Sequence, residues 1–112
     1  MEEWKIDDLR KICVPGNIEP GNIEITLHAA KRLEQRQIKI SDVMECIQNG
    51  EIIEQYPNDY PYPSCLILGR SKGEKRIHVV VGSNGKTIWI VTAYEPDLEK
   101  WEYDLKTRKG EK

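Results

Sequence analysis

Four apolar segments that follow Gly50 constrain the fold more than any other feature of the sequence. They are rich in Ile, Val, Leu, Trp and Tyr, the residue types that favour strands, and they span residues 51–56, 64–70, 76–82 and 87–94. The last three segments are joined by links of hairpin length, residues 71–75 and 83–86. Because such short links connect antiparallel neighbours, the sequence predicts a twisted antiparallel sheet of about four strands.

Ahead of the strands, the sequence predicts two helices in series. The first runs from Thr26 to Ile38, where good helix formers follow a threonine whose hydroxyl suits an N-cap and neither Gly nor Pro intervenes. Ser41 is expected to cap the second helix, which closes at Asn49-Gly50, residues that tolerate a left-handed C-cap. A shorter helix is expected within residues 3–14. The fold class is therefore α+β, with two or three helices packed on the sheet.

The 112-residue length fits one domain with N- and C-terminal extensions. Residues 1–24 are predicted to hold the short helix and a linker in which Pro-Gly-Asn-Ile-Glu occurs twice, the second copy leading into a brief edge strand through Ile23 and Ile25. Residues 25–105 are predicted to form the domain. Residues 106–112 carry four basic residues and one acidic residue, and we expect a solvated basic tail there.

Composition places the chain among ordinary globular proteins. Charged residues make up 32% and apolar residues 38% of the sequence, far from the profile of disorder. No apolar run reaches membrane-spanning length and the acidic start lacks the features of a signal peptide, so we expect a cytoplasmic protein with no membrane contact. Three widely spaced cysteines without a Cys-x-x-Cys pair predict reduced, buried thiols. The net charge of −2 argues against a general nucleic-acid coat.

Three cationic or titratable side chains form a ladder along the predicted 26–38 helix. His28, Arg32 and Arg36 stand four residues apart on a stripe that borders the apolar face. None of the helical neighbours of the two arginines is acidic, and like charges at this spacing cost roughly 0.2–0.5 kcal/mol. Two explanations follow: carboxylates from the sheet pair with the arginines as structural ion pairs, or the ladder binds an anion such as a phosphate.

The chain has two histidines, His28 and His78. Strand alternation turns Ile77 and Val79 inward, which leaves His78 on the more open face of its strand. Two imidazoles beside arginines are the set that phosphodiester cleavage requires: a base, an acid and guanidinium groups that hold developing charge. Tyr94 could replace one histidine as the proton donor. The alternative is that each histidine is a structural residue.

Other chemistries find little support in the sequence. It has no Gly-rich phosphate loop, no serine-hydrolase elbow and no closely spaced zinc ligands, so neither a metal nor a cofactor is expected. Cys65 lies inside a predicted strand and is expected in the core. The Pro- and Tyr-rich segment 57–63 is either a rigid crossover that covers the sheet or the wall of a groove. For a protein-binding surface, the solvent-facing anchors would be Tyr60, Tyr62 and Trp101. The alternative for Trp101 is that it docks the turn at the end of the fold, together with Leu98 and Leu105.

Taken in order, several short motifs between Ile25 and Trp101 resemble a small bacterial domain-of-unknown-function family related to the RelE/ParE-like toxins of toxin–antitoxin modules. The motifs are Thr26-Leu27-His28-Ala29 with Arg32 and Arg36, Tyr62-Pro63-Ser64-Cys65-Leu66, Gly69-Arg70, His78-Val79-Val80-Val81, Thr92-Ala93-Tyr94-Glu95-Pro96-Asp97 and Lys100-Trp101.

The resemblance implies a RelE-like fold with two helices on a twisted antiparallel sheet. It also implies a toxin-type endoribonuclease that acts on ribosome-associated mRNA without a metal, with a small antitoxin protein as partner. Under this hypothesis His28, His78 and Tyr94 are the catalytic candidates, and Arg32 and Arg36 bind phosphate. The alternatives are a gyrase-inhibitor-like toxin of the same fold and a non-enzymatic protein-binding module. The oligomeric state is left open.

Overall fold

The structure is a computed structural model that describes residues 3–13, 22–71 and 75–110. The helices in these ranges are α1 (Ile6–Ile12), α2 (Leu27–Gln35) and α3 (Ile40–Asn49). The strands are β1 (Ile23–Ile25), β2 (Glu51–Tyr56), β3 (Ser64–Arg70), β4 (Arg76–Ser83) and β5 (Ile88–Tyr94). Most of the Pro-Gly linker predicted within residues 15–24 lies outside the described residues.

The strands form one sheet in the order β1-β5-β4-β3-β2. Strands β2 to β5 make the predicted antiparallel meander. The expected edge strand is β1, which pairs with β5 in parallel, Ile23 beside Ile88 and Ile25 beside Ile90. The fold is therefore α+β as predicted, but the sheet is mixed and has five described strands where about four antiparallel ones were expected.

Helix α2 begins where its sequence predicts and ends earlier. The hydroxyl of Thr26 accepts a hydrogen bond from the Ala29 amide at 3.0 Å, which confirms the N-cap. The helix stops at Gln35 because Gln37 adopts a left-handed backbone with φ 59°. The Gln37 and Ile38 amides then donate to the carbonyls of Glu34 and Leu33, the double closure of a Schellman motif. A glutamine thus takes the place usually held by glycine.

Both predicted caps of α3 are wrong. The N-cap is Lys39 rather than Ser41, and its amide donates to the Asp42 carboxylate at 2.9 Å. Gly50 has φ −90° and ψ −175°, an extended conformation instead of the left-handed one. Glycine is needed there for space, because a Cβ atom would lie 2.6 Å from the Leu68 carbonyl oxygen.

The core lies between the helices and one face of the sheet. Buried residues of β3, β4 and β5 on this face pack against buried residues of α2 and α3. The strands contribute Ile67, Ile77, Val79 and Ile90, and the helices contribute Leu33, Val43 and Ile47. All three cysteines are free and buried, as predicted, and burial raises the pKa of the Cys13 and Cys65 thiols to about 12. None of the described helices has the length and apolarity that crossing a membrane requires.

The C-terminal segment 95–110, which we call the strap, covers the second face of the sheet around His78 and the edge strand β2. Trp101 of the strap is only 3% exposed, so the expectation that it is a solvent-facing anchor is wrong. The described part of the basic tail is not a free end, because Lys106 pairs with Glu51 and Arg108 Nε lies 2.9 Å from Glu54 Oε2. Carboxylates on the edge strand β2 thus hold the tail against the sheet.

The segment 57–63 follows β2 and brings one tyrosine onto the second face. The ring of Tyr62 stacks on Trp89 of β5, with centroids 4.8 Å apart and planes 12° apart. Tyr60 is 93% exposed and makes no ring contact among the described residues. Tyr62 therefore covers part of the sheet while it stays 38% exposed, so both tyrosines face solvent as expected.

Replacing Thr26 by Ala is expected to lower the free energy of unfolding by about 1 kcal/mol, because the Ala29 amide loses the hydroxyl that accepts its hydrogen bond at the start of α2. Chemical denaturation measures the change. Thr26→Ser keeps the hydroxyl and should stay within about 0.5 kcal/mol of the wild type. Equal losses in the two variants would show that the hydroxyl does not stabilise the helix.

Candidate functional site

His28 and Arg32 form a contact on the outer surface of α2. Both side chains are exposed, and Arg32 Nε donates a hydrogen bond to His28 Nε2 across 3.1 Å. They meet because residues four apart stack on one side of a helix. A guanidinium only donates, so Nε2 of the imidazole carries the lone pair and Nδ1 carries the proton. The pair is a neutral base held beside a permanent cation.

Arg36, the third member of the ladder, points toward the sheet. It is the C-cap residue of α2, and its Nη1 donates to the Ala93 carbonyl oxygen at 2.8 Å and to Thr92 Oγ1 at 3.1 Å. The pairing of β1 with β5 stops at Ile90, so Arg36 binds the part of β5 that lies beyond the end of β1. Arg36 therefore fixes α2 against the edge of the sheet.

Within residues 3–13, 22–71 and 75–110, neither Arg32 nor Arg36 forms an ion pair with a carboxylate. Of the two explanations that the sequence allowed, structural ion pairs are thus absent from this part of the chain. Arg36 is satisfied by uncharged oxygens. Arg32 has a histidine as its partner and keeps its charge uncompensated at the surface.

His78 lies in the second face of the sheet, away from the ladder. It alternates with the core residues Ile77 and Val79, so the sheet separates its ring from α2 and from His28. The prediction of an open face is wrong: the strap covers His78, which is 0% exposed. The structure therefore does not bring the two imidazoles together.

A hydrogen-bonded network surrounds the buried imidazole. His78 Nε2 lies 2.8 Å from the Leu105 carbonyl oxygen, and Nδ1 lies 3.3 Å from the hydroxyl of Tyr94. The indole of Trp101 meets the imidazole edge to face, with centroids 4.5 Å apart. Burial lowers the pKa of His78 and raises that of Tyr94. Tyr94 is thus placed with His78 and apart from His28.

Beside this network lies a polar cluster that sequence reasoning missed. Arg108 donates two hydrogen bonds to the Glu54 carboxylate, at 2.9 and 3.0 Å, and the Tyr56 hydroxyl donates to the same carboxylate at 2.5 Å. The Arg108 hydrogen bond lowers the pKa of Glu54, while burial and Glu54 raise that of Tyr56 to about 12. Glu54 and Tyr56 are two residues apart on β2, so strand alternation could have predicted that their side chains share one face. No local pattern in the sequence connects either of them with Arg108.

The five predicted site residues therefore fall into two groups. His28, Arg32 and Arg36 share α2, and only the first two are exposed. His78 and Tyr94 form a covered network on the other side of the sheet. No group of three or more His, Cys, Asp or Glu side chains in the described ranges could hold a metal ion. The surface pair on α2 is the arrangement that a solvent-borne anion can reach.

These features define a small α+β domain, an open mixed sheet that carries its candidate site on the outside of a packed helix. The family model "Domain of unknown function (DUF4258)" matches residues 25–95, and the chain belongs to that family. The match includes α2, α3 and β2 to β5, and it ends where the strap begins. Neither the comparison with curated proteins nor that with solved structures gives a match.

Proposed function

We propose that this domain is a toxin-type endoribonuclease whose reactive groups lie on the outer surface of α2. The observation that carries the proposal is the 3.1 Å contact between Arg32 Nε and His28 Nε2, an exposed base beside a guanidinium with no carboxylate partner in the described chain. Guanidinium groups match the geometry and charge of phosphate oxygens. A phosphodiester fits such a pair.

The reaction that fits the pair is transesterification by the ribose 2′-hydroxyl. An arriving phosphodiester draws the Arg32 guanidinium onto its oxygens, which releases the lone pair of His28 Nε2. His28 then takes the 2′-hydroxyl proton while the 2′-oxygen bonds to phosphorus and the bond from phosphorus to the 5′-oxygen breaks. The leaving oxygen takes a proton from water. Arg32 stabilises the negative charge that builds up on the phosphoryl oxygens.

The remaining predicted residues have supporting roles in this proposal. Arg36 adds positive charge near the site and holds α2 on β5 through Thr92 and Ala93. His78 and Tyr94 stabilise the second face of the sheet and do not touch the substrate. Ribosome-associated mRNA as the substrate and a small antitoxin protein as the partner belong to the same proposal.

The test is the product chemistry of a DNA oligonucleotide that contains one ribonucleotide. At low salt, where phosphate contacts are strongest, the protein should cut after that ribonucleotide and leave a 2′,3′-cyclic phosphate and a 5′-hydroxyl. The all-deoxy oligonucleotide should stay intact because it has no 2′-hydroxyl. Mass spectrometry identifies the ends.

A contaminating nuclease is excluded by variants purified in parallel. The double variant His28→Ala with Arg32→Ala should leave the oligonucleotide intact, whereas Lys31→Ala, which removes another exposed cation of α2, should cut it normally. No cleavage by the wild type, or equal cleavage by the double variant, would rule out the nuclease. Inhibition of gyrase by a protein that cuts no RNA would favour the gyrase-inhibitor hypothesis.

A further inference from the structure

The strap is a self-contained unit. Its backbone hydrogen bonds run between its own residues: Trp101 to Asp97 at 3.0 Å, Glu102 to Thr107 at 2.7 Å and Lys109 to Lys100 at 2.9 Å. In the described parts of the chain, no backbone–backbone hydrogen bond joins the strap to the sheet. It can therefore lift away without losing its internal bonds, as cooperative local units do. Its start at residue 95 coincides with the end of the family match.

Side chains make the attachment, and His78 is at its centre. Trp101 packs edge to face on the imidazole, and the Leu105 carbonyl oxygen lies 2.8 Å from Nε2. A carbonyl only accepts, so Nε2 carries a proton, and in the neutral ring Nδ1 accepts from the Tyr94 hydroxyl of β5. The strap thus contacts the imidazole through Trp101 and the Leu105 carbonyl. The Glu54–Arg108 pair is a second attachment beside it.

The backbone of the strap is strained at the point of contact. Leu105 has φ 62°, a left-handed conformation that a residue with a Cβ rarely adopts. Such a conformation persists only where the surroundings enforce it. The Leu105 amide donates to the Glu102 carbonyl oxygen at 2.8 Å within the strap, and the Leu105 carbonyl faces His78 Nε2, so this residue has one bond inside the strap and one to the sheet.

A proton on His78 would be poorly accommodated in the closed state. The charged and titratable groups on the covered face near the ring are Glu51, Glu54 and Tyr56 from β2, Tyr94 from β5, Lys106 and Arg108 from the strap and Arg76 on the ring's own strand; on β3 the facing residues are Leu66 and Leu68. Both of these carboxylates already have a cation, because Lys106 pairs with Glu51 and Arg108 donates two hydrogen bonds to Glu54. An imidazolium would be a buried cation without an anion of its own.

We infer that the strap is a proton-controlled cover, which stays closed while His78 is neutral and lifts as a unit when His78 is protonated, exposing the part of the second face around His78. Burial in the closed state holds the pKa of His78 below its ordinary value of 6.5, the value expected once the strap is open. The closed form therefore has its full advantage above pH 6.5 and loses it as the pH falls. Between the two pKa values, each unit of acidification multiplies the open fraction about tenfold.

Fluorine NMR of the full chain labelled with 5-fluorotryptophan tests this inference. Its three tryptophans report separately on α1 (Trp4, just before it), on β5 (Trp89) and on the strap (Trp101). Between pH 8 and pH 5 the Trp101 resonance should move to its solvent-exposed position and gain a solvent isotope shift. The Trp4 and Trp89 resonances should keep their folded positions. His78→Gln, which can donate to Leu105 without binding a proton, should keep Trp101 buried.

A second variant keeps the test decisive if His78→Gln does not fold. Glu54→Gln removes the carboxylate that holds Arg108 and offsets charge on His78, so its strap should open at a pH higher by about one unit, a tenfold change in the open fraction at fixed pH. The inference is overturned if Trp101 stays buried at pH 5, if all three tryptophans move together, if His78→Gln opens at the wild-type pH, or if Glu54→Gln leaves the midpoint unchanged.

Discussion

Gly69→Ala is expected to lower the free energy of unfolding by about 3 kcal/mol or more. Gly69 lies in β3 directly beneath α3, and an added Cβ would sit 2.5 Å from Cys46 Cα and 2.6 Å from Cys46 Cβ. These are atoms of the helix itself, so α3 must move as a body. Overpacking costs about 1–3 kcal/mol where side chains yield, and more where backbone must shift. Urea denaturation followed by circular dichroism measures the loss.

Gly82→Ala is the matched control, because Gly82 is also a buried strand glycine. Its added Cβ would meet the Pro63 carbonyl oxygen at 3.7 Å and Ser64 Cβ at 3.8 Å, which are ordinary contacts. We expect its free energy of unfolding to stay within about 1 kcal/mol of the wild type. A similar loss in both variants would mean that strand propensity, not the approach of α3 to β3, explains the effect at Gly69.

The bounds of the strands could be predicted from the sequence because the pattern that marks them is local. Strands β2 and β3 have the predicted bounds, 51–56 and 64–70, and β4 and β5 differ from theirs by one residue at one end. Each apolar run ends at turn residues that fix its length. The parallel pairing of β1 was not predictable, because three residues carry no signal of direction and the partner lies more than sixty positions away.

Helix ends were less predictable than helix positions. The Thr26 hydroxyl is a local acceptor, and its role followed from its type. At Gln37 the closing bond joins two backbone groups, and at Lys39 the backbone amide donates to the Asp42 carboxylate, so the residue types at these two positions do not indicate the helix ends. Ile38, which follows the left-handed Gln37, is buried in the core, so a tertiary contact lies where α2 ends.

The candidate site also has contacts that the sequence could predict and contacts that it could not. The contact between His28 and Arg32 could be predicted because helical spacing alone brings residues four apart together. Strand alternation placed His78 on the correct face but could not show what covers that face. The cover is the strap, whose attachments to Glu54 and His78 span 54 and 27 residues of sequence. Contacts of that range leave no local pattern.

The two histidines consequently have opposite environments. His28 is exposed, and its Nε2 faces a cation that a phosphate can draw away. His78 is sealed by Trp101 and Leu105, and its two ring nitrogens are both occupied within the protein. Substitution at His28 should therefore affect chemistry with little effect on folding, whereas substitution at His78 should affect the strap. Variants of His28 therefore test the proposed function, and variants of His78 test the inference about the strap.

His28→Ala is accordingly expected to lower the single-turnover rate of RNA cleavage by about 10²- to 10⁴-fold, the usual contribution of a positioned general base. Because the side chain is exposed, the free energy of unfolding should change by less than about 0.5 kcal/mol. The rate is measured with excess protein on an end-labelled RNA, and the stability by denaturation of the same preparation. A fall in rate without a fall in stability assigns the loss to chemistry.

Lys31→Ala and His78→Gln are the controls that make the comparison specific. Lys31 is an exposed cation on the same helix but outside the contact pair, so its loss should weaken RNA binding slightly and leave the bound rate unchanged. His78→Gln tests the buried imidazole, which has no path to the substrate while the strap is closed. If His78→Gln removed cleavage and His28→Ala did not, the reacting base would be the covered histidine, and the exposed pair on α2 would lose its proposed role.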